Sequence, residues 1–145
     1  MLVILLSISL LIWLVFIIDA AIGLRKLDCL EQEDGLENGP LLSVIVAARN
    51  EEKQISASIN SQLRQSYRNV EWLLINDRST DRTCEIMEEL KKDDPRIRVV
   101  HIKELPEGWL GKNHALFSGA KAASGEWLLF TDADVIYQKE PLLKP

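Results

Sequence analysis

The chain has 145 residues, 22 acidic and 17 basic, a formal net charge of −5, 47% hydrophobic residues and two cysteines. That length suits one domain, and the lack of a basic patch argues against a nucleic-acid partner. Cys29 and Cys84 sit in different contexts without metal-ligand spacing, one a linker thiol and one a helix-face thiol, which suits a reducing compartment.

The first predicted element is a membrane span. From Leu2 to Ile18 every residue is apolar except Ser7 and Ser9, and Asp19 is followed by Ala-Ala-Ile-Gly-Leu. Such a run meets the roughly 17–25 residues needed to cross a bilayer. A cleavable signal peptide is the competing reading. No Lys or Arg precedes the run, however, and the run exceeds the usual h-region of about 7–15 residues. A retained single-pass anchor over residues 1–27 is therefore expected. Arg25 and Lys26 follow the apolar span (about 2–24) at once, and the positive-inside rule then puts the downstream domain in the cytoplasm.

Residues 28–40, "DCLEQEDGLENGP", hold Asp28, Glu31, Glu33, Asp34, Glu37 and no base. The whole net charge thus resides in this stretch, and the remainder of the chain is balanced. The acidity belongs to a linker and not to a binding face.

From residue 41 onward the pattern changes. "LLSVIVAA" (41–48) is a short β-branched run, as a buried strand requires. Asn50 follows as a helix cap, with Glu51 and Glu52 favouring the helix N-terminus. Ile55, Ile59 and Leu63 then mark one apolar helix face. "NVEWLLIND" (69–77) is a second strand, and residues 80–92 a second helix with Cys84, Met87 and Leu90 three apart. "IRVVHI" (97–102) is a third strand. A loop with Pro106, Gly108 and Trp109 leads to a helix around 113–123, and "EWLLF" (126–130) is a fourth strand. Trp72 and Trp127 fall within strands as core or sheet-face residues, while Trp109, in a loop beside Gly108 and Gly111, stays open between packing and contact with a ligand. His101 ends a strand and His114 begins a helix, neither with a partner at ligand spacing.

Alternating strands and helices imply an α/β fold, a mainly parallel sheet with helices flanking it. Ligands of open parallel sheets bind beyond the carboxyl ends of the strands. Three polar clusters stand there: "ARNEE" after the first strand, "NDRSTD" after the second and "TDAD" after the fourth. Asp132 and Asp134 repel each other unless a cation or proton sits between them. They are expected to share one crevice with Asp77 and the Arg49–Asn50 turn. "ARNEEK" has no glycine for a dinucleotide fingerprint, and "GWLGKN" is too short for a phosphate-binding P-loop. A carboxylate pair at a strand end suits a hard cation such as Mg²⁺ carrying a diphosphate on its other side, and that is what a nucleotide-sugar donor presents.

"LSVIVAARNEE", "LLINDRSTDRT" and "LPEGWLGKNHALFSGAKAASGEWLLFTDADV", in this order and spacing, resemble the inverting family 2 glycosyltransferases of GT-A (Rossmann-like) fold. The likeness covers roughly residues 41–137. It implies that Asp77 holds the nucleotide base, flanked by Ala48, Arg49, Asn50 and Glu51. It implies that Asp132 contacts the ribose or diphosphate, that Asp134, with Asp132, holds Mg²⁺ or Mn²⁺, and that Lys112 lies near the donor phosphates. A solvated loop lysine is the alternative for Lys112. The sequence departs from the family's pattern in Ala47, where Pro is frequent, and Asn76, where Asp is. The family's acceptor base and Q-x-x-R-W segment are not found up to Pro145. Residues 41–145 are thus expected to be the nucleotide-sugar-binding half of a domain, with no catalytic base of their own. The "PEGWLGKNHAL" loop resembles members that act on lipids such as carotenoids or hopanoids, so a lipid hydroxyl acceptor is expected. Two alternatives stay open. The "LLFTDADVI" strand resembles the D-x-D-x-[TV] ending of haloacid-dehalogenase-type phosphatases, although there it usually opens the catalytic domain. The other is an inactive nucleotide-binding remnant.

If the domain extends beyond this chain, the apolar residues Leu128, Phe130, Val135, Ile136, Leu142 and Leu143 should be under-covered.

Overall fold

The computed structural model describes residues 2–25 and 39–137, so residues 28–38 of the acidic linker, with Cys29, and Leu142 and Leu143 lie outside the described residues. The chain divides into two units, Met1–Asp34 and Gly35–Pro145.

In the first unit, α1 runs Leu2–Arg25, 24 residues. Trp13 and Phe16, one turn apart, meet edge to face at 6.3 Å. Among the described residues no helix is long and apolar enough to cross a membrane.

The second unit alternates as its sequence predicts: β1 (Leu42–Ala48), α2 (Ile55–Gln62), β2 (Val70–Asp77), α3 (Thr83–Asp93), β3 (Ile97–Ile102), α4 (Gly111–Ala122) and β4 (Trp127–Asp132). The four strands form one parallel sheet in the order β3-β2-β1-β4. Because side chains alternate across a strand, β1 and β2 each serve two cores. Val44, Val46, Val70, Trp72 and Leu74 pack with Ile55 and Ile59 of α2 and with Met87 and Leu90 of α3. Ile45, Leu73 and Ile75 point the other way and pack with Ala115 of α4. Cover on both faces explains why these strands read as continuous apolar runs.

Two helices begin later than the sequence suggests. Asn50 does not cap α2; it adopts a left-handed φ of 59°, and α2 starts at Ile55 after a turn bonded to the Glu51 carbonyl. Likewise α3 starts at Thr83, with Asp81 Oδ1 accepting from the Thr83 N–H at 3.0 Å. The residues ahead of both helices are drawn into bonds between loops, described below.

β4 is a sheet edge, and α4 lies on β1 and β2 instead of over it. Leu128 and Phe130 are 43% and 48% exposed, and Val135 and Ile136 are 39% and 53% exposed, as the sequence leads one to expect. Trp127 is likewise an exposed sheet-face residue, whereas Trp72 is buried beneath the Arg96 guanidinium, 4.8 Å above its ring. Asp94 grips Arg96 at 2.7 Å, and this hydrogen bond holds the Asp94 carboxyl below the ordinary aspartate range.

Candidate functional site

The strand order sets the site. The chain leaves β3, crosses to the opposite face through α4 and returns as β4 beside β1, so connections diverge between β1 and β4. Crevices form at such a switch point, outside the carboxyl ends of the strands. A crevice of about 380 Å³ opens there, lined by Ala47, Ala48, Arg49, Glu51, Asp77, Gly111, Lys112, Ala115, Asp132, Ala133 and Asp134. That volume falls within the roughly 300–1,000 Å³ of small-molecule sites.

The ends of three strands and one helix deliver these groups. β1 ends at Ala48 and hands over to Arg49, which is exposed, and Glu51, which is half-buried. Asp77 ends β2 and is buried, its carboxylate gripped by Arg78 at 2.8 Å through Nε and 3.2 Å through Nη2. Arg78 reaches back because its own backbone is left-handed, with φ 55°. Asp132 ends β4, and Asp134 follows in the adjoining turn, exposed and with no hydrogen-bond partner among the described residues. Lys112 stands in the first turn of α4 and not in a loop, and its Nζ reaches Asp132 Oδ1 at 2.7 Å.

Two loops are laced together beside the crevice. The Asn50 N–H donates to Ser79 Oγ at 3.2 Å, and Asn50 Oδ1 accepts from the Thr80 N–H at 2.8 Å. The Glu51 N–H donates to Thr83 Oγ1 at 2.8 Å, and the Glu52 N–H to Asp81 Oδ2 at 3.2 Å. Partial burial would raise the Asp81 carboxyl, but hydrogen bonds from the Thr83 side chain and backbone and from Glu52 outweigh it and lower it. Asn50 is not among the residues lining the crevice; its bonds to Ser79 and Thr80 tie the loop that carries Arg49 and Glu51 to the loop after β2. An asparagine tolerates left-handed backbone better than most residues, which suits it to this corner.

Sequence reasoning finds most of the lining but misses Ala47, Gly111, Ala115 and Ala133. Small residues carry little chemical signal in a sequence; they matter because they leave room. A Cβ on Gly111 would come 2.8 Å from Asp77 Oδ2 and 2.9 Å from Arg78 Nη2. Trp109 packs on His114 and Phe117, with ring centroids 5.4 and 5.0 Å away, instead of reaching the crevice.

The donor set fits a hard divalent cation bound together with a ligand. Among the described residues no group of three or more His, Cys, Asp or Glu could hold a metal alone. Two carboxylates at one strand end are what Mg²⁺ commonly takes when phosphate oxygens supply further ligands. The Lys112 ammonium on Asp132 already marks the spot as one that attracts positive charge.

The glycosyl transferase family 2 model matches residues 43–145, nearly the whole second unit. The chain belongs to glycosyltransferase family 2. This sets aside the phosphatase alternative for the Asp132–Asp134 strand and places the chain in an enzyme family. It is 43% identical over 101 residues to an uncharacterised glycosyltransferase of Haemophilus influenzae, covering 70% of this chain and 30% of that protein. It is 37% identical over 103 residues to the 4,4'-diaponeurosporenoate glycosyltransferase of Staphylococcus haemolyticus, covering 71% and 26%. A structural relative is glucosyl-3-phosphoglycerate synthase from Mycobacterium tuberculosis, solved with Mn²⁺, uridine diphosphate and glucosyl-3-phosphoglycerate. The TM-score is 0.54 at 31% identity, over 68% of this chain and 35% of that one. The second unit is thus GT-A-like. The chain spans less than half the length of the curated relatives it matches.

Proposed function

We propose that residues 41–145 form the donor-binding part of a membrane-anchored enzyme that transfers a sugar from a nucleoside diphosphate, a uridine nucleotide, to a hydroxyl acceptor with inversion. The observation that carries this reading is the convergence of Arg49, Asp77, Lys112, Asp132 and Asp134 on one crevice. Asp77, at the buried end, accepts from the base imide, with Arg49 and Glu51 at its flank. Lys112 turns from Asp132 to the diphosphate oxygens once a donor is bound. Asp134 and Asp132 are the residues to hold Mg²⁺ or Mn²⁺. A bound divalent cation neutralises charge on a departing diphosphate. The chain's own part is to fix the donor and expose its anomeric carbon on the side away from the diphosphate.

A lipid acceptor is supported by a second groove of about 390 Å³ that shares Lys112 and Asp132 with the crevice and has Leu116, Phe130 and Val135 in its walls. Uridine is supported by the nucleotide in the mycobacterial relative. The anchor reading rests on the sequence, in which every residue from Leu2 to Ile18 is apolar except Ser7 and Ser9, a run of the length a bilayer needs.

Asp77→Asn tests the base pocket. It keeps the size but exchanges an acceptor-only group for one that also donates. Uridine diphosphate should bind about 1–3 kcal/mol more weakly by calorimetry, the cost of unmatching a hydrogen bond to a charged group. Unchanged affinity in a folded variant would put the base elsewhere. For the anchor, the full chain should stay in the membrane pellet after alkaline carbonate extraction. In a Cys84→Ser background, an impermeant maleimide should label Cys29 in inverted vesicles and not in intact cells. Release to the supernatant, or labelling from outside, would overturn the cytoplasmic single-pass reading.

A further inference from the structure

Away from the crevice, α3 and β3 bring a thiol, an imidazole and a carboxylate into line. Cys84 Sγ lies 3.7 Å from His101 Nδ1, and His101 Nε2 lies 2.9 Å from Glu88 Oε1. The sequence hides this grouping. Cys84 and Glu88 share one face of α3, but His101 arrives from β3, 17 residues beyond Cys84.

The tautomer follows from the neighbours. Asn76 Oδ1 accepts from the Ser79 N–H at 3.2 Å, which turns its Nδ2 toward His101 Nδ1 at 3.3 Å. An amide nitrogen only donates, so Nδ1 is the acceptor nitrogen and the ring proton sits on Nε2, donated to Glu88. Glu88 remains a carboxylate: the His101 hydrogen bond holds it below the usual range, and the Lys91 ammonium, 3.2 Å from its Oε2, adds to the effect. The Nδ1 lone pair therefore faces the Asn76 amide at 3.3 Å and the Cys84 thiol at 3.7 Å together, while the far side of the ring is held by a negative charge. This is the nucleophile–base–orienter order of an activated thiol. Cys84 is half-buried and His101 exposed, so a small reagent can reach the sulfur.

We propose that Cys84, His101 and Glu88 form a nucleophilic thiol centre, separate from the nucleotide crevice, that is modified covalently by small-molecule disulfides. His101 Nδ1 takes the Sγ proton and the thiolate attacks one sulfur of the disulfide. The S–S bond breaks, its electron pair leaves with the other sulfur, and a mixed disulfide forms on Cys84. The departing thiolate takes the proton from His101, so one disulfide and one thiol become another disulfide and another thiol.

The test uses the full chain in detergent with Cys29→Ser, which leaves Cys84 as the single thiol of the two in the sequence. The probe is 4,4'-dithiodipyridine at neutral pH, followed by thiopyridone release, with glutathione disulfide and mass spectrometry as the biological counterpart. His101→Gln should slow the reaction about tenfold or more, the low end of a general base's usual contribution. Glu88→Gln should slow it less, in the same direction. In urea all variants should react alike. Glutathione disulfide should leave a mixed disulfide on Cys84 of the parent. Parent-like rates in folded His101→Gln would overturn the proposal. If circular dichroism shows that variant unfolded, Glu88→Gln decides, and a parent-like rate there overturns it equally.

Discussion

Asp134→Ala is expected to abolish divalent-cation-dependent binding of a nucleoside diphosphate while leaving the fold intact. The Asp134 side chain is exposed and bonded to nothing among the described residues, so its removal costs no packing and no internal hydrogen bond. Asp132 cannot replace it alone, because Lys112, 2.7 Å away, has to leave that carboxylate before a cation can approach. A cation beside the diphosphate would then face one carboxylate instead of two. The loss should be on the order of 100-fold in affinity for uridine diphosphate with Mn²⁺ present, equivalent to about 3 kcal/mol. Without metal, the parent and the variant should bind alike. Calorimetry on the full chain in detergent reads both. Equal affinity in Mn²⁺ would remove Asp134 from the site.

Gly119 and Ile45 should show the strongest structural coupling in the second unit. In a helix interior, Gly→Ala ordinarily gains up to about 1 kcal/mol. At Gly119 a Cβ would come 2.4 Å from Ile45 Cγ2 and 3.2 Å from two carbons of Ile75, in the contact where α4 lies on the sheet. Overpacking typically costs about 1–3 kcal/mol, so the sign should reverse and Gly119→Ala should lower the unfolding midpoint. Ile45 is fully buried, and Ile45→Ala alone should cost about 2–5 kcal/mol. The double variant should be more stable than the sum of the two losses by about 1 kcal/mol or more, since removing Cγ2 vacates the space that the new methyl needs. Additive losses would show that α4 can shift to accommodate the methyl. In that case Lys112 and Gly111, carried at the other end of the same helix, should shift too.

The α/β class and the boundaries of the four strands are legible in the sequence because each strand is a β-branched or aliphatic run bounded by polar residues. Sheet propensity leaves that mark locally in all four, and burial on both faces strengthens it in β1 and β2. Asp77, Asp132 and Asp134 are legible for a related reason: a carboxylate that closes an apolar strand run marks the strand end. Helix starts are less legible. Asn50 looks like a cap, and Asp81, which the pattern places inside the second helix, is the residue that bonds the Thr83 N–H ahead of it. Yet Asn50 spends its side chain on Thr80, 30 residues away, and a long-range partner cannot be read from local pattern.

By itself, then, the sequence determined the order of elements, the acidic residues at the strand ends and the family. All three depend on residue type and on spacing within a few residues. The crevice shared by Asp132, Asp134, Asp77 and Arg49 is expected from the sequence, but only the tertiary structure decided that β4 brings it about by lying beside β1. It alone paired Lys112 with Asp132, made Gly111 the residue that leaves Asp77 room, and brought His101 to Cys84 and Glu88. These are choices among contacts of high sequence separation. They are settled by which faces α2, α3 and α4 cover, and no short stretch of the chain carries that information.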